Sequence, residues 1–133
     1  QSAGSPGNMR ASMIWILKRG FLVLMAGGIF YISHQPSLKL VDPLFPHQDK
    51  VLHWIEYTLL FVSIFLNRDL LGKFKSLPFI FALGSIYALS DEIHQSFVPG
   101  RDCSLGDLAA DITGLATGVA LCVFLLSRKT GVH

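Results

Sequence analysis

Charged residues are scarce in this sequence of 133 residues, in which Asp, Glu, Lys and Arg make up 15% and apolar residues 51%. That balance, with a mean hydropathy of +0.50, excludes an ordinary soluble domain and favours one membrane domain. The first eight residues are small and polar and precede Met9. We expect residues 1–8 to be a remnant of the expression vector, which leaves residues 9–133 as the domain.

Cysteine is also rare, with two residues in the chain. Cys103 is expected at one membrane surface and Cys122 near the other, about 28 Å away at 1.5 Å per helical residue, so no disulfide is expected between them. The sequence contains neither an HExxH motif nor a paired-cysteine motif, so it carries no established metal motif. Basic residues cluster at the predicted cytoplasmic boundary, where they suit anionic lipids and give no sign of nucleic-acid binding.

Four segments are long or apolar enough to enter a bilayer of about 30 Å, which takes about 20 helical residues. They are predicted at about 13–33, 49–66, 77–98 and 105–127. Lys18 and Arg19 interrupt the first segment, but their long side chains can extend to an interface. Pro99 and Gly100 mark the end of the third. The sequence therefore predicts an all-α membrane bundle of four transmembrane helices.

The distribution of positive residues indicates how this bundle is oriented, because Lys and Arg are enriched in cytoplasmic loops. One side receives Arg10, Lys18, Arg19, Arg68, Lys73, Lys75, Arg128 and Lys129, and the other receives Lys39, Lys50 and Arg101. Both termini are therefore predicted in the cytoplasm. The acidic residues, Asp69 apart, fall in the opposite half: Asp42, Asp49, Glu56, Asp91, Glu92, Asp102, Asp107 and Asp111. Since acidic residues hardly affect insertion, this second asymmetry predicts a polar extracytoplasmic site.

Helical spacing predicts which polar side chains share a face. Asp49, His53 and Glu56 are spaced i, i+4 and i+7, with Tyr57 beside them. On the third helix, Asp91, His94 and Gln95 share a face, while Glu92 is rotated about 100° away.

The fourth helix carries Asp107 and Asp111 one turn apart, and Gly114 and Gly118 continue along nearly the same side. Small residues allow helix backbones to approach closely in membranes. This face is therefore predicted to point into the bundle.

Two ordered motifs carry a family resemblance. "DKVLHWIEYTLL" from Asp49 and "DEIHQSFVPGRDCSLGDLAADITG" from Asp91 resemble the VanZ-like proteins, and "SHQP" after the first helix is similar to a short polar element of that family. The matching residues are Asp49, Lys50, His53, Tyr57, Asp91, Glu92, Gln95, Pro99, Arg101, Asp107 and Gly114. The resemblance implies a multi-pass protein of the bacterial cytoplasmic membrane with a cell-envelope role, in a family named for one member associated with resistance to teicoplanin. Asp111 departs from the family pattern, which favours Asn there, so a ligand set taken from relatives does not transfer to that position.

The candidate residues fall into three groups by chemistry. His53, Glu56 and Asp91 are candidate catalytic residues, because imidazole and carboxylate groups serve as general bases. Candidate substrate-binding residues are Lys50, Arg101, Gln95, Tyr57 and Glu92. An oxygen-rich set of side chains would take a divalent metal ion as its cofactor. The candidate metal ligands are Asp107, Asp111, Asp49 and His94.

For several of these residues a structural role is the alternative to a functional one. Asp107 and Asp111 could cap the start of the fourth helix. Arg101 could bind an anion or pair with one of those carboxylates. Lys50 could extend to the interface, and His53 and His94 could be hydrogen-bonded core residues.

Three functions are compatible with this pattern. The first is an enzyme that hydrolyses or transfers at a phosphoester or acyl linkage of an anionic lipid or envelope precursor. The second is a noncatalytic binder of an envelope lipid or glycopeptide antibiotic, and the third is a small dimeric transporter. A transporter needs polar groups near the bilayer midplane, which the apolar inner halves of the helices lack. The cost of burying ionisable groups favours the enzyme. Membrane lipids are the expected partners, and the sequence predicts no oligomeric state.

Overall fold

The computed structural model describes residues 6–36, 44–101 and 103–130, and in these ranges the protein is helical without β-strands. Its four long helices and one 3-10 helix are α1 (Pro6–His34), α2 (Gln48–Leu66), the 3-10 helix (Arg68–Phe74), α3 (Leu77–Gln95) and α4 (Leu105–Thr130). The all-α prediction is confirmed. Residues 1–5 of the expected remnant, together with Lys39, Asp42 and Asp102 from the charge count, lie outside the described residues.

Helix boundaries differ from the predicted ones by up to seven residues. α1 already includes Pro6, the first residue described at this end, and α4 continues three residues further than predicted, to Thr130. α3 ends at Gln95 instead of Val98, since Phe97 and Val98 donate to carbonyls three residues back and tighten the chain into a turn. The 3-10 helix between α2 and α3 has no apolar run to signal it.

Close packing of α2 against α4 determines where the polar side chains meet. A Cβ added to Gly114 would lie 2.5 Å from the carbonyl oxygen of Trp54, and one added to Gly118 would lie 2.6 Å from Cβ of Phe61. Thr58 donates a hydrogen bond of 3.0 Å from Oγ1 to the carbonyl oxygen of Gly114. The glycine face of α4 therefore points into the bundle, as its spacing predicts.

By length and composition, two of the described helices can cross a membrane, Gly7–His34 and Leu105–Lys129. α2 and α3 have 19 residues each and carry charged residues at one end. Four transmembrane helices and cytoplasmic termini therefore stay predictions.

Arg19 attaches α1 to the chain that follows α2. Its guanidinium donates to Oδ1 of Asn67 at 2.6 Å and to the carboxylate of Asp69. Asn67 is buried and donates in turn to the carbonyl oxygen of Lys18 at 2.8 Å. The hydrogen bond from Arg19 lowers the pKa of Asp69 below its ordinary value of 3.8. The part of α1 before Lys18 is exposed, including Trp15.

Candidate functional site

Three ionisable side chains from three helices meet at one end of the bundle. Nδ1 of His53 on α2 lies 2.8 Å from Oδ1 of Asp111 on α4. Glu92 on α3 joins them, and one ligand atom from each of the three residues lies within 4.8 Å of the other two. Asp111 is 0% exposed and Glu92 is 1% exposed. We call His53, Glu92 and Asp111 the His–carboxylate cluster.

Local structure explains how the His–carboxylate cluster forms. His53 lies in the second turn of α2 and Asp111 in the second turn of α4, just before Gly114. The close approach of the two helices at Gly114 brings both turns together. Glu92 lies in the last turn of α3, where its Oε2 accepts the backbone N–H of Ser104 at 2.9 Å and so anchors the chain before α4.

Several polar atoms of this region are buried without a hydrogen-bond partner in the described part of the chain. They are Oε1 of Glu92, Oδ2 of Asp111 and the hydroxyl of Tyr57. A buried polar atom without a partner costs free energy, so native proteins rarely leave one. Glu56 and Asp91 lie close enough to interact electrostatically with Asp111, so the region holds further acidic groups.

Lys50 is held by two carboxylates beside the His–carboxylate cluster. Its Nζ lies 3.0 Å from Oδ2 of Asp49 and 3.0 Å from Oδ1 of Asp107. Asp107 therefore pairs with α2, while Oγ of Ser104 accepts its backbone N–H at 3.3 Å and caps α4. The Lys50 side chain is 37% exposed, so part of it remains accessible.

Arg101 caps the end of α1. Its guanidinium donates to the carbonyl oxygens of Ile32 at 2.9 Å and Gln35 at 3.0 Å, and to Oε1 of Gln95 at 3.4 Å. In the described ranges it forms no ion pair with the carboxylates of α4, an arrangement that the sequence had left open. Its donors are directed at backbone carbonyls, which the sequence pattern did not predict.

His94 and Asp91 belong to a second polar region, between α1 and α3. Nε2 of His94 lies 3.1 Å from Nδ1 of His34, and both rings stack with Phe30. Oδ2 of Asp91 accepts the side-chain amide of Gln95 at 3.1 Å.

A cavity of about 240 Å³ adjoins this second polar region, between α1 and α3. Its lining residues are Phe30, Tyr87, Ser90, Asp91 and His94. The same amide of Gln95 donates to Ser33 at 3.2 Å. The contributions of Ser33 and His34 were missed from the sequence, although the "SHQP" element was a signal for them.

The structure distributes the expected metal ligands over three places. Asp49 and Asp107 bind Lys50, His94 contacts His34, and Asp111 lies in the His–carboxylate cluster. Glu92 takes a place in that cluster because the rotation of about 100° that separates it from Asp91 turns it toward α4. The catalytic, substrate-binding and metal-binding roles expected from the sequence remain predictions.

Two helices that are long and apolar enough to cross a membrane, with ionisable groups buried beside them, indicate a helical membrane protein. The family model described as VanZ/LLP1 matches residues 17–126. The chain belongs to the VanZ/LLP1 family, which confirms the resemblance of its two motifs. No curated protein and no solved structure matches the chain.

Proposed function

We propose that the chain is a four-span protein of the bacterial cytoplasmic membrane, with both termini in the cytoplasm and the His–carboxylate cluster near the extracytoplasmic surface. The antiparallel order of the helices supports this arrangement, since the start of α2, the end of α3 and the start of α4 meet at one end. The opposite end carries Arg19, Arg68 and Lys73, as expected of a cytoplasmic boundary.

The proposed activity is hydrolysis or transfer at a phosphoester or acyl linkage of an anionic envelope lipid or precursor. One observation carries it: a buried carboxylate, Asp111, holds Nδ1 of His53 at 2.8 Å. A carboxylate in this position fixes the tautomer and orientation of an imidazole, whose other nitrogen can then accept a proton. Glu56, which is half-buried on the same helix, is the alternative proton acceptor.

Lys50 supports the choice of an anionic substrate. Its side chain lies next to the His–carboxylate cluster and is 37% exposed. Arg101 is committed to the carbonyl oxygens of α1, so we assign the head-group contact to Lys50.

The test uses the full chain in detergent or nanodiscs with a lipid extract of a bacterial envelope. Mass spectrometry should detect loss of one lipid class and appearance of its cleavage or transfer product. His53→Ala and Asp111→Asn should reduce the rate about 100-fold or more, the usual contribution of a positioned general base. The control is Asp69→Asn, a carboxylate change beyond the other end of α2. Equal turnover by wild type and both cluster variants would refute the catalytic proposal.

The cavity beside Asp91 and His94 supports a second candidate, a noncatalytic binder of an envelope lipid or glycopeptide. A binder needs the cavity but no general base. His53→Ala should then leave resistance of the host cell largely unchanged, whereas Asp91→Asn should reduce it.

A further inference from the structure

We propose that His53, Glu92 and Asp111 bind a divalent metal ion. This proposal concerns the His–carboxylate cluster itself, and the metal site stands whether or not the protein turns over a lipid. Only the choice between His53 and Glu56 as the proton acceptor rests on the proposed function.

Two unpartnered oxygen atoms provide the first argument. Oε1 of Glu92 and Oδ2 of Asp111 are buried without a hydrogen bond from the described part of the chain, and both residues belong to the group of three. Buried carboxylates are normally paired, hydrogen-bonded or bound to a metal. A cation bound between Glu92 and Asp111 would satisfy both oxygens.

The nearby cations cannot fill that position. Lys50 is bound by Asp49 and Asp107, and Arg101 donates to carbonyl oxygens of α1 and to Gln95. Glu56 makes no hydrogen bond or ion pair with the described residues and is a further acidic group close to Asp111. The region thus has more acidic groups than cations to balance them.

Geometry provides the second argument. One ligand atom from each residue lies within 4.8 Å of the others. Metal–ligand distances in proteins are about 2.0–2.4 Å, so two ligands on opposite sides of an ion are separated by about twice that length. The three atoms can therefore reach one ion with small side-chain adjustments.

The ligand chemistry indicates which ions fit. One imidazole and two carboxylates suit Zn²⁺ or Mn²⁺ better than Ca²⁺, which prefers six to eight oxygen ligands. Three protein ligands leave a position open, an arrangement typical of catalytic metal sites. A water bound there becomes a stronger acid.

This ion would decide between the two proton acceptors of the proposed function. His53 becomes a metal ligand, and its imidazole is no longer available as the base. Glu56, which lies on the same helix and makes no hydrogen bond or ion pair with the described residues, then accepts the proton from water. Glu56→Gln should lose turnover and keep the metal, whereas His53→Gln should lose both.

The experiment measures metal content of the full chain purified in detergent. Wild-type protein, stripped with chelator and reloaded with Zn²⁺ or Mn²⁺, should retain about one ion per chain after dialysis, by inductively coupled plasma mass spectrometry. Glu92→Gln and Asp111→Asn should bind at least tenfold more weakly, while Asp69→Asn should bind like wild type. Wild-type affinity in both cluster variants, or no retained ion in wild-type protein, would overturn the proposal.

A second measurement needs no variant. Co²⁺ added to the stripped wild-type protein should give visible absorption bands of a site with mixed nitrogen and oxygen ligands, and Zn²⁺ should displace them. A spectrum of hydrated Co²⁺ would contradict the site. Lipid turnover by wild-type protein that retains no ion on reloading would refute the metal site and leave the proposed function standing, whereas a retained ion without turnover would do the reverse.

Discussion

Gly114 of α4 lies directly against the backbone of Trp54 of α2, so that a Cβ at this glycine would be 2.5 Å from the Trp54 carbonyl oxygen. Backbone atoms cannot rotate away as a side chain can. The separation of α2 and α4 is therefore determined at this contact, three residues beyond Asp111.

Gly114→Ala should destabilise the bundle because the added methyl group forces the two helices apart. We expect a loss of about 1–3 kcal/mol, the usual cost of overpacking, with a lower Tm in detergent. Gly27→Ala is the matched control, since a Cβ at Gly27 meets nothing within 4 Å. Its Tm should be equal to or above that of wild type, because alanine favours the helix. Equal loss in both variants would contradict the contact.

Asp111→Asn should reduce the activity of the protein without reducing its thermal stability. The amide keeps the size of the carboxylate and an oxygen that can accept the N–H of His53, and it removes one acidic group from beside Glu92, whose Oε1 has no hydrogen-bond partner in the described chain. The Tm of chelator-treated protein should therefore not fall, while lipid turnover should fall about 100-fold or more. A large fall in Tm would instead make Asp111 a structural residue.

Arg101→Ala should loosen the end of α1. The arginine donates two hydrogen bonds to the carbonyl oxygens of Ile32 and Gln35, and hydrogen bonds from charged groups contribute about 1.5–3 kcal/mol. Hydrogen exchange should become faster in the last turn of α1, with little change in α2. Inorganic phosphate should not stabilise wild-type protein more than the variant. If phosphate stabilised only the wild-type protein, the result would support anion binding by Arg101.

Asp69 should make a small, pH-dependent contribution to stability. Its pKa is lowered in the folded protein by the hydrogen bond from Arg19, so its ion pair stabilises the fold above the ordinary value of 3.8. That contribution disappears as the pH falls through the lowered pKa. The difference in Tm between wild type and Asp69→Asn should therefore shrink on acidification below about pH 4, and added salt should reduce it at neutral pH. A difference that stays constant with pH would exclude this ion pair.

The sequence was sufficient for the existence of the four long helices and for the glycine face of α4, because apolar length and i, i+4 spacing are local properties. It could not identify the partners of each polar residue. Spacing places Asp91 and Glu92 on different sides of α3, but only the packing of α1 and α4 on those sides decides which one joins His53. The partners of Arg101 could not be predicted either. The turn after α3 directs its side chain to backbone carbonyls, and every residue has a backbone carbonyl, so no sequence pattern identifies which ones it binds.

The attachment of Arg19 to Asn67 and Asp69 has a consequence for the lipid around the protein. If the helices cross the membrane as proposed, the part of α1 from Arg19 to His34 is what spans it, about 23 Å at 1.5 Å per residue. A typical hydrocarbon layer is about 30 Å thick. Local thinning of the bilayer or extension of the Lys18 and Arg19 side chains toward the interface accommodates such a short span, and the apolar start of α1 around Trp15 then lies at the cytoplasmic interface.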